Sequence, residues 1–160
     1  MTDIQSAVLR LRQARTDHAL QPAPQLADEA AAYAVQDEVA LYLGWFGDTT
    51  PRHWKSGGPS RVDAISHAPL PPAGVWASPA TAGTWPFTLR GIEAEVALRL
   101  REPVDAVRAA ALDLPGARAL VDAMCVSIEI VDSRWVEGLQ APALAKLADM
   151  LCHGVSPTAV

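Results

Sequence analysis

Three glutamates and a lysine are the residues whose types and spacing could do chemistry here. Glu93 and Glu95 stand two apart in Gly91-Ile-Glu-Ala-Glu-Val-Ala-Leu-Arg-Leu100, where Ile92, Ala94, Val96, Leu98 and Leu100 alternate with the other positions. A period of two is that of a β-strand, and it puts both carboxylates on one face, about 6.5–7 Å apart. Like charges so placed repel, and Glu is disfavoured in strands. A solvated polar face, continued by Arg99 and Arg101, explains the pair; so does a bound cation. Glu129 bears on that choice. It lies between Ile128 and Ile130 in the nearly continuous apolar run 123–133, which is expected to be a buried strand. A buried carboxylate is protonated, paired or bound to a cation. Arg134 and Arg99 are its candidate salt-bridge partners. Three carboxylates converging from two neighbouring strands would instead offer hard oxygen ligands to Mg²⁺ or Mn²⁺. Soft donors are scarce: Cys152 and His153 are adjacent but have no second pair, which argues against zinc.

Proton transfer beside such a cation needs an acid–base group, and Lys55 is the candidate. It sits in His53-Trp-Lys-Ser-Gly-Gly58, between an aromatic residue and a glycine pair. A surface lysine is the plain alternative. His53 reads as structural before it reads as a site residue. Asp132 and Arg134 are expected to pair structurally around Glu129.

The elements that must position these groups follow from periodicity. Residues 3–16 put Ile4, Val8 and Leu11 on one helical face, and residues 26–43 form a second, Ala-rich helix ending at Gly44. Residues 44–87 hold most of the Gly, Pro and Trp and suggest short strands joined by structured loops. Short helices are expected over 104–111, 115–122 and 142–149, the second with Pro115 near its start. The class is α+β in a single domain over residues 1–160, with two helices first and then a sheet interrupted by helices.

The bulk properties narrow the function. Thirteen Lys plus Arg against eighteen Asp plus Glu give a net charge of −5, so there is no basic surface to expect for nucleic acid or an anionic membrane. No apolar run reaches the roughly 20 residues that cross a bilayer. Met1-Thr-Asp-Ile-Gln5 lacks the regions of a signal peptide. Two cysteines do not make a disulfide framework, and a reducing cytoplasm is the expected location.

Four motifs, Tyr33-Ala-Val-Gln-Asp-Glu-Val39, Trp54-Lys-Ser-Gly57, Ile92-Glu-Ala-Glu-Val96 and Ser127-Ile-Glu-Ile-Val-Asp-Ser-Arg134, together resemble the 2-keto-4-pentenoate hydratases. That family also includes 2-oxohept-3-enedioate hydratases and 4-oxalocrotonate decarboxylases, within the fumarylacetoacetate hydrolase superfamily. The likeness runs from about residue 26 to 149 in the family's order. It implies that Glu93, Glu95 and Glu129 hold Mg²⁺ or Mn²⁺ and that Lys55 is the site lysine. The implied fold is a pair of N-terminal helices followed by a mixed β-sheet roll of the fumarylacetoacetate hydrolase C-terminal-domain type. The implied reaction adds water to 2-hydroxypenta-2,4-dienoate-type 2-oxo acids in aromatic catabolism. Decarboxylation of a 4-oxalocrotonate-type acid, or a non-catalytic truncated subunit, is the alternative. Members of the family run to roughly 260 residues, so at 160 the chain is expected to lack roughly the last 100. Residues 155–160 are expected to lose the strand pattern. An incomplete sheet exposes edges and apolar faces, which implies a homo-oligomer or a partner chain that completes it.

Overall fold

The structure is a computed structural model describing residues 2–58, 60 and 62–158. Helix α1 (Asp3–Asp17) begins where Thr2 and Gln5 cap one another, each side chain accepting from the other's backbone N–H. Helix α2 (Glu29–Tyr42) begins on Asp28, whose carboxylate accepts from Ala31 N–H at 2.8 Å. Ala7, Val8 and Leu11 of the first helix meet Ala32, Val35 and Val39 of the second. The spacing of three and four along each chain makes these stripes continuous. Both stripes pack on Trp135 and on α5 (Ala143–Ala148), and the Trp135 indole N–H donates to Ala145 O at 2.8 Å. A fully buried apolar side chain of this size contributes about 1.5–3 kcal/mol, so this is where the core sits. None of the helices is long and apolar enough to cross a membrane among the described residues.

Two sheets follow. Strands β1 (Trp54–Gly57) and β2 (Ser66–Pro69) form an antiparallel pair, with Lys55 opposite Ala68. The larger sheet runs in the order β3 (Val75–Ala77), β6 (His153–Thr158), β5 (Val121–Val131), β4 (Gly91–Leu100). The β3–β6 pair is parallel and the others are antiparallel. Two short helices, α3 (Ala106–Ala111) and α4 (Leu114–Leu120), join β4 to β5. This is the α+β arrangement that the sequence implied.

Two expectations are corrected. Residues 153–158 keep a strand: β6 lies between β5 and β3, held by pairing on both sides in spite of its Gly, Ser and Pro, while residues 159 and 160 of that expectation lie outside the described residues. Strand β5 is not buried along its length either. Ser127, Glu129 and Val131 point inward, whereas Met124 and Val126 are 71% and 70% exposed. The apolar run 123–133 therefore alternates in its surroundings, although its sequence does not alternate in polarity. Among the described residues, other elements cover only the inward face of the hairpin.

Candidate metal centre

The β4–β5 register sets Glu93 directly opposite Glu129 and Glu95 opposite Ser127. All three glutamates leave one face of the hairpin, and one carboxylate oxygen from each lies within 4.8 Å of the others. The structure thus brings together the three carboxylates that the sequence singled out. Glu93 is exposed, Glu95 is partly covered and Glu129 is fully buried. The arrangement is electrostatically unfavourable by itself. Burial, and then the charge of Glu129, push the Glu95 carboxyl above its ordinary range, while Lys55 pulls it back.

Lys55 reaches this face from β1. Its ammonium donates to Glu129 Oε2 and lies 3.5 Å from Leu151 O. The other oxygen, Oε1, accepts from His153 Nδ1 at 2.8 Å. Burial alone would raise the Glu129 carboxyl; the His153 hydrogen bond and the Lys55 cation outweigh it and hold the group below its ordinary value. Burial pushes His153 down in spite of Glu129, so a neutral ring donates to an ionised carboxylate. An ionised carboxylate only accepts; the ring proton therefore sits on Nδ1.

The salt-bridge partner expected for Glu129 is corrected accordingly. Arg99 pairs with Asp122 at 2.9 Å on the surface, and Arg134 pairs with Asp149 at 2.6 Å. Asp132 does not touch Glu129; its Oδ1 accepts from Thr88 N, Thr88 Oγ1 and Leu89 N at 2.6–2.8 Å. His53 is exposed and outside the cluster. His153 is the member that sequence reasoning passed over, having weighed it only as half of a zinc pair.

The local backbone delivers His153. Between α5 and β6, Met150, Leu151 and Cys152 take φ of 54°, 56° and 58° in succession. Each non-glycine residue in this left-handed region costs about 1–2 kcal/mol. The turn swings Leu151 O toward Lys55 and sets His153 beside Glu129. Strain of this kind gathers at sites where the surroundings over-determine the backbone.

The donor set suits a hard divalent cation. It consists of carboxylate oxygens from three side chains, the Glu95 carboxyl being raised by burial and then by the charge of Glu129, and no thiolate. Each carboxylate oxygen has acceptor capacity beyond one hydrogen bond, so Lys55 and His153 do not exhaust Glu129.

No family model matches this chain, and no curated protein matches it. Its structure does match solved structures. Over 97% of its length it aligns with 4-oxalocrotonate decarboxylase from Pseudomonas putida G7 complexed with magnesium and adipate, with a TM-score of 0.76 and 18% identity. Over 99% it aligns with the same enzyme complexed with calcium and acetate, at 0.72 and 17%. The matched regions are 61% and 62% of those chains, so this chain spans about three fifths of their length. At such identity the likeness establishes the fold, which is the fumarylacetoacetate hydrolase type that the resemblance implied.

Proposed function

We propose that Glu93, Glu95 and Glu129 hold Mg²⁺ or Mn²⁺ and that the chain is a hydro-lyase adding water to 2-hydroxypenta-2,4-dienoate-type 2-oxo acids. The observation that carries this reading is the convergence of three carboxylates from two strands on a point that Lys55 also reaches. A bound cation would supply Lewis-acid stabilisation of the negative charge that develops on a 2-oxo acid as a proton leaves its carbon chain. The chain's own residues do the rest. Lys55 holds an exchangeable proton beside Glu129 and delivers it to, or takes it from, the substrate carbon. Glu129 fixes the lysine through Oε2 and is itself fixed by His153 through Oε1. The strained turn at 150–152, with Met150 and Cys152 buried, keeps both contacts in place.

A decarboxylase reading uses the same cluster, and it is favoured by the name of the enzyme in the two solved structures described above. One assay separates the two. The chelated chain is supplied with Mg²⁺ or Mn²⁺, and the ultraviolet absorbance of 2-hydroxypenta-2,4-dienoate is followed beside carbon dioxide release from 2-oxohex-3-enedioate. Metal-dependent loss of the dienol supports the hydro-lyase; release of carbon dioxide alone replaces it with the decarboxylase. Neither signal, in a chain that calorimetry shows to bind the ion, leaves a non-catalytic subunit. Absence of calorimetric binding sinks the metal centre itself. Lys55→Met should lower turnover by about 10²–10⁴-fold, the worth of a positioned acid–base group, with ion binding retained.

A further inference from the structure

Strand β4 is paired on one side only. Strand β5 runs along that side, and among the described residues no strand pairs along the other. Gly91–Leu100 contains no proline, so its outer row of backbone N–H and C=O groups can take up a further strand without a gap. The single register shift of the hairpin, between Arg99 and Leu100, is absorbed by β5, where Asp122 is the extra residue.

The order of side chains along β4 says which strand fits there. A second copy can lie antiparallel to the first across a two-fold axis. Alternate residues turn their backbone groups to the same edge, so residues that face each other across the axis are an even number apart, and the axis passes through a residue. An axis at Glu95 pairs residues 91–99, and one at Val96 pairs residues 92–100; any other axis pairs a shorter stretch. Charge separates these two. The Glu95 axis sets Glu95 against its own counterpart, and directly opposed like charges are destabilising. The Val96 axis instead sets Glu93 against Arg99 of the second copy, and Arg99 against that copy's Glu93, while Glu95 meets Ala97. On the opposite face Ile92 meets Leu100, Ala94 meets Leu98 and Val96 meets its counterpart.

We propose that β4 pairs edge to edge with β4 of a second copy of this chain, about a two-fold axis at Val96. Glu93 and Arg99 are both exposed. Arg99 gives Nε and Nη2 to Asp122, at 2.9 and 3.4 Å. A guanidinium has five donors, so Nη1 remains for the second copy's Glu93. The pairing brings a cation from the second copy beside the exposed carboxylate of the glutamate cluster. It leaves the apolar outer face of each hairpin uncovered, so stacking through that face is a separate contact.

Disulfide capture tests the axis. In a Cys125→Ser background, with Cys152 buried, single cysteines are introduced by Ala94→Cys, Glu95→Cys, Val96→Cys, Ala97→Cys and Leu98→Cys. Each chelator-treated chain is then oxidised with diamide. Facing residues of an antiparallel pair have Cα atoms about 4.5–5.5 Å apart, within reach of a disulfide, whereas diagonal neighbours stand about 7–8 Å apart and stacked sheets about 10 Å. Val96→Cys should therefore give covalent dimer about tenfold faster, or more, than any of the other four. Arg99→Glu or Glu93→Arg, each added to Val96→Cys, should slow capture about tenfold, since both ion pairs become repulsions. An equimolar mixture of those two chains should recover the rate, because each then faces the opposite charge. Equal rates at all five positions, or fastest capture at another, overturns the proposal. So does a mixture no faster than its components. Should a charge variant fail to fold, the comparison of positions decides. The chelator keeps a failure here distinct from a failure of the metal centre.

Discussion

Glu93 faces Glu129 across the β4–β5 ladder and Glu95 stands beside them, so the hairpin carries three carboxylates on a face where directly opposed like charges are destabilising. Lys55 compensates Glu129, and Glu95 is left with the cost, which is why burial and Glu129 raise it. The folded chain holds the Glu95 proton more tightly than the unfolded chain does. Stability from this group is therefore full below its ordinary value of 4.5 and is lost as pH rises through the higher folded value. In chelator at pH 7, Glu95→Gln should then be more stable than the unaltered chain. Relief of about 1 kcal/mol, a fair figure for a partly exposed charge, would raise the melting temperature by about 2–4 °C. That advantage should vanish in melts run well below pH 4.5. Saturating Mg²⁺ should reverse the order, stabilising the unaltered chain and leaving the variant nearly unmoved. A Glu95→Gln chain that melts lower in chelator at pH 7 would contradict the crowding argument. An equal response to Mg²⁺ would contradict ligation by Glu95.

At the scale of elements, Asp149 ties three segments together. It accepts from Arg15 of α1, from Arg134 N at 3.0 Å and from Arg134 Nε, while Arg134 also donates to His153 O at 2.9 Å. The carboxylate is fully buried, and deleting it leaves two guanidiniums without their shared anion. Asp149→Ala should cost about 3–5 kcal/mol in denaturant unfolding, whereas a surface-type loss of under 1 kcal/mol would show that α1 is held by apolar packing alone. What the sequence disclosed divides along the same lines. Helices α1 and α2 were legible because apolar spacing and capping residues are local, and β4 because its polarity alternates. Strand β6 was not, since His153-Gly-Val-Ser-Pro-Thr158 carries no periodic signal and is made a strand by its neighbours. The carboxylate cluster could be read from two adjacent strands. The contacts of Glu129 with Lys55 and His153, 74 and 24 residues away, could not be read from spacing. Arg134 and Arg99 were near in sequence or on the same face, but Asp149 and Asp122 hold them.

For the whole molecule, the outer face of the hairpin is the surface from which a prediction about self-association can be argued. The pairs Ile92–Ile130, Ala94–Ile128, Val96–Val126 and Leu98–Met124 form an apolar ladder on the side opposite the glutamates, and Ile92 is 74% exposed. Strand β4 is also the edge of its sheet, and among the described residues no strand pairs with its outer side along its 10 residues. A strip about 33 Å long and two strands wide, before its side chains are counted, already covers about 300 Å². That is at the scale of the largest apolar patch on a typical monomer, and short of the roughly 800 Å² per partner that a stable dimer buries. A second copy offers the same strip, so an isologous pairing matches apolar surface to apolar surface. Weak self-association is the predicted outcome, opposed at low salt by the net charge of −5 on each copy. Sedimentation velocity should show monomer at micromolar concentration in low salt, passing to dimer as protein concentration rises and more readily in sulfate, which strengthens apolar burial. Val126→Lys puts a charge in the middle of the strip and should shift the equilibrium back by about tenfold or more, without touching ion binding on the other face. If the chain stays monomeric near 1 mM in sulfate, or if Val126→Lys associates as the unaltered chain does, this face is not where copies meet.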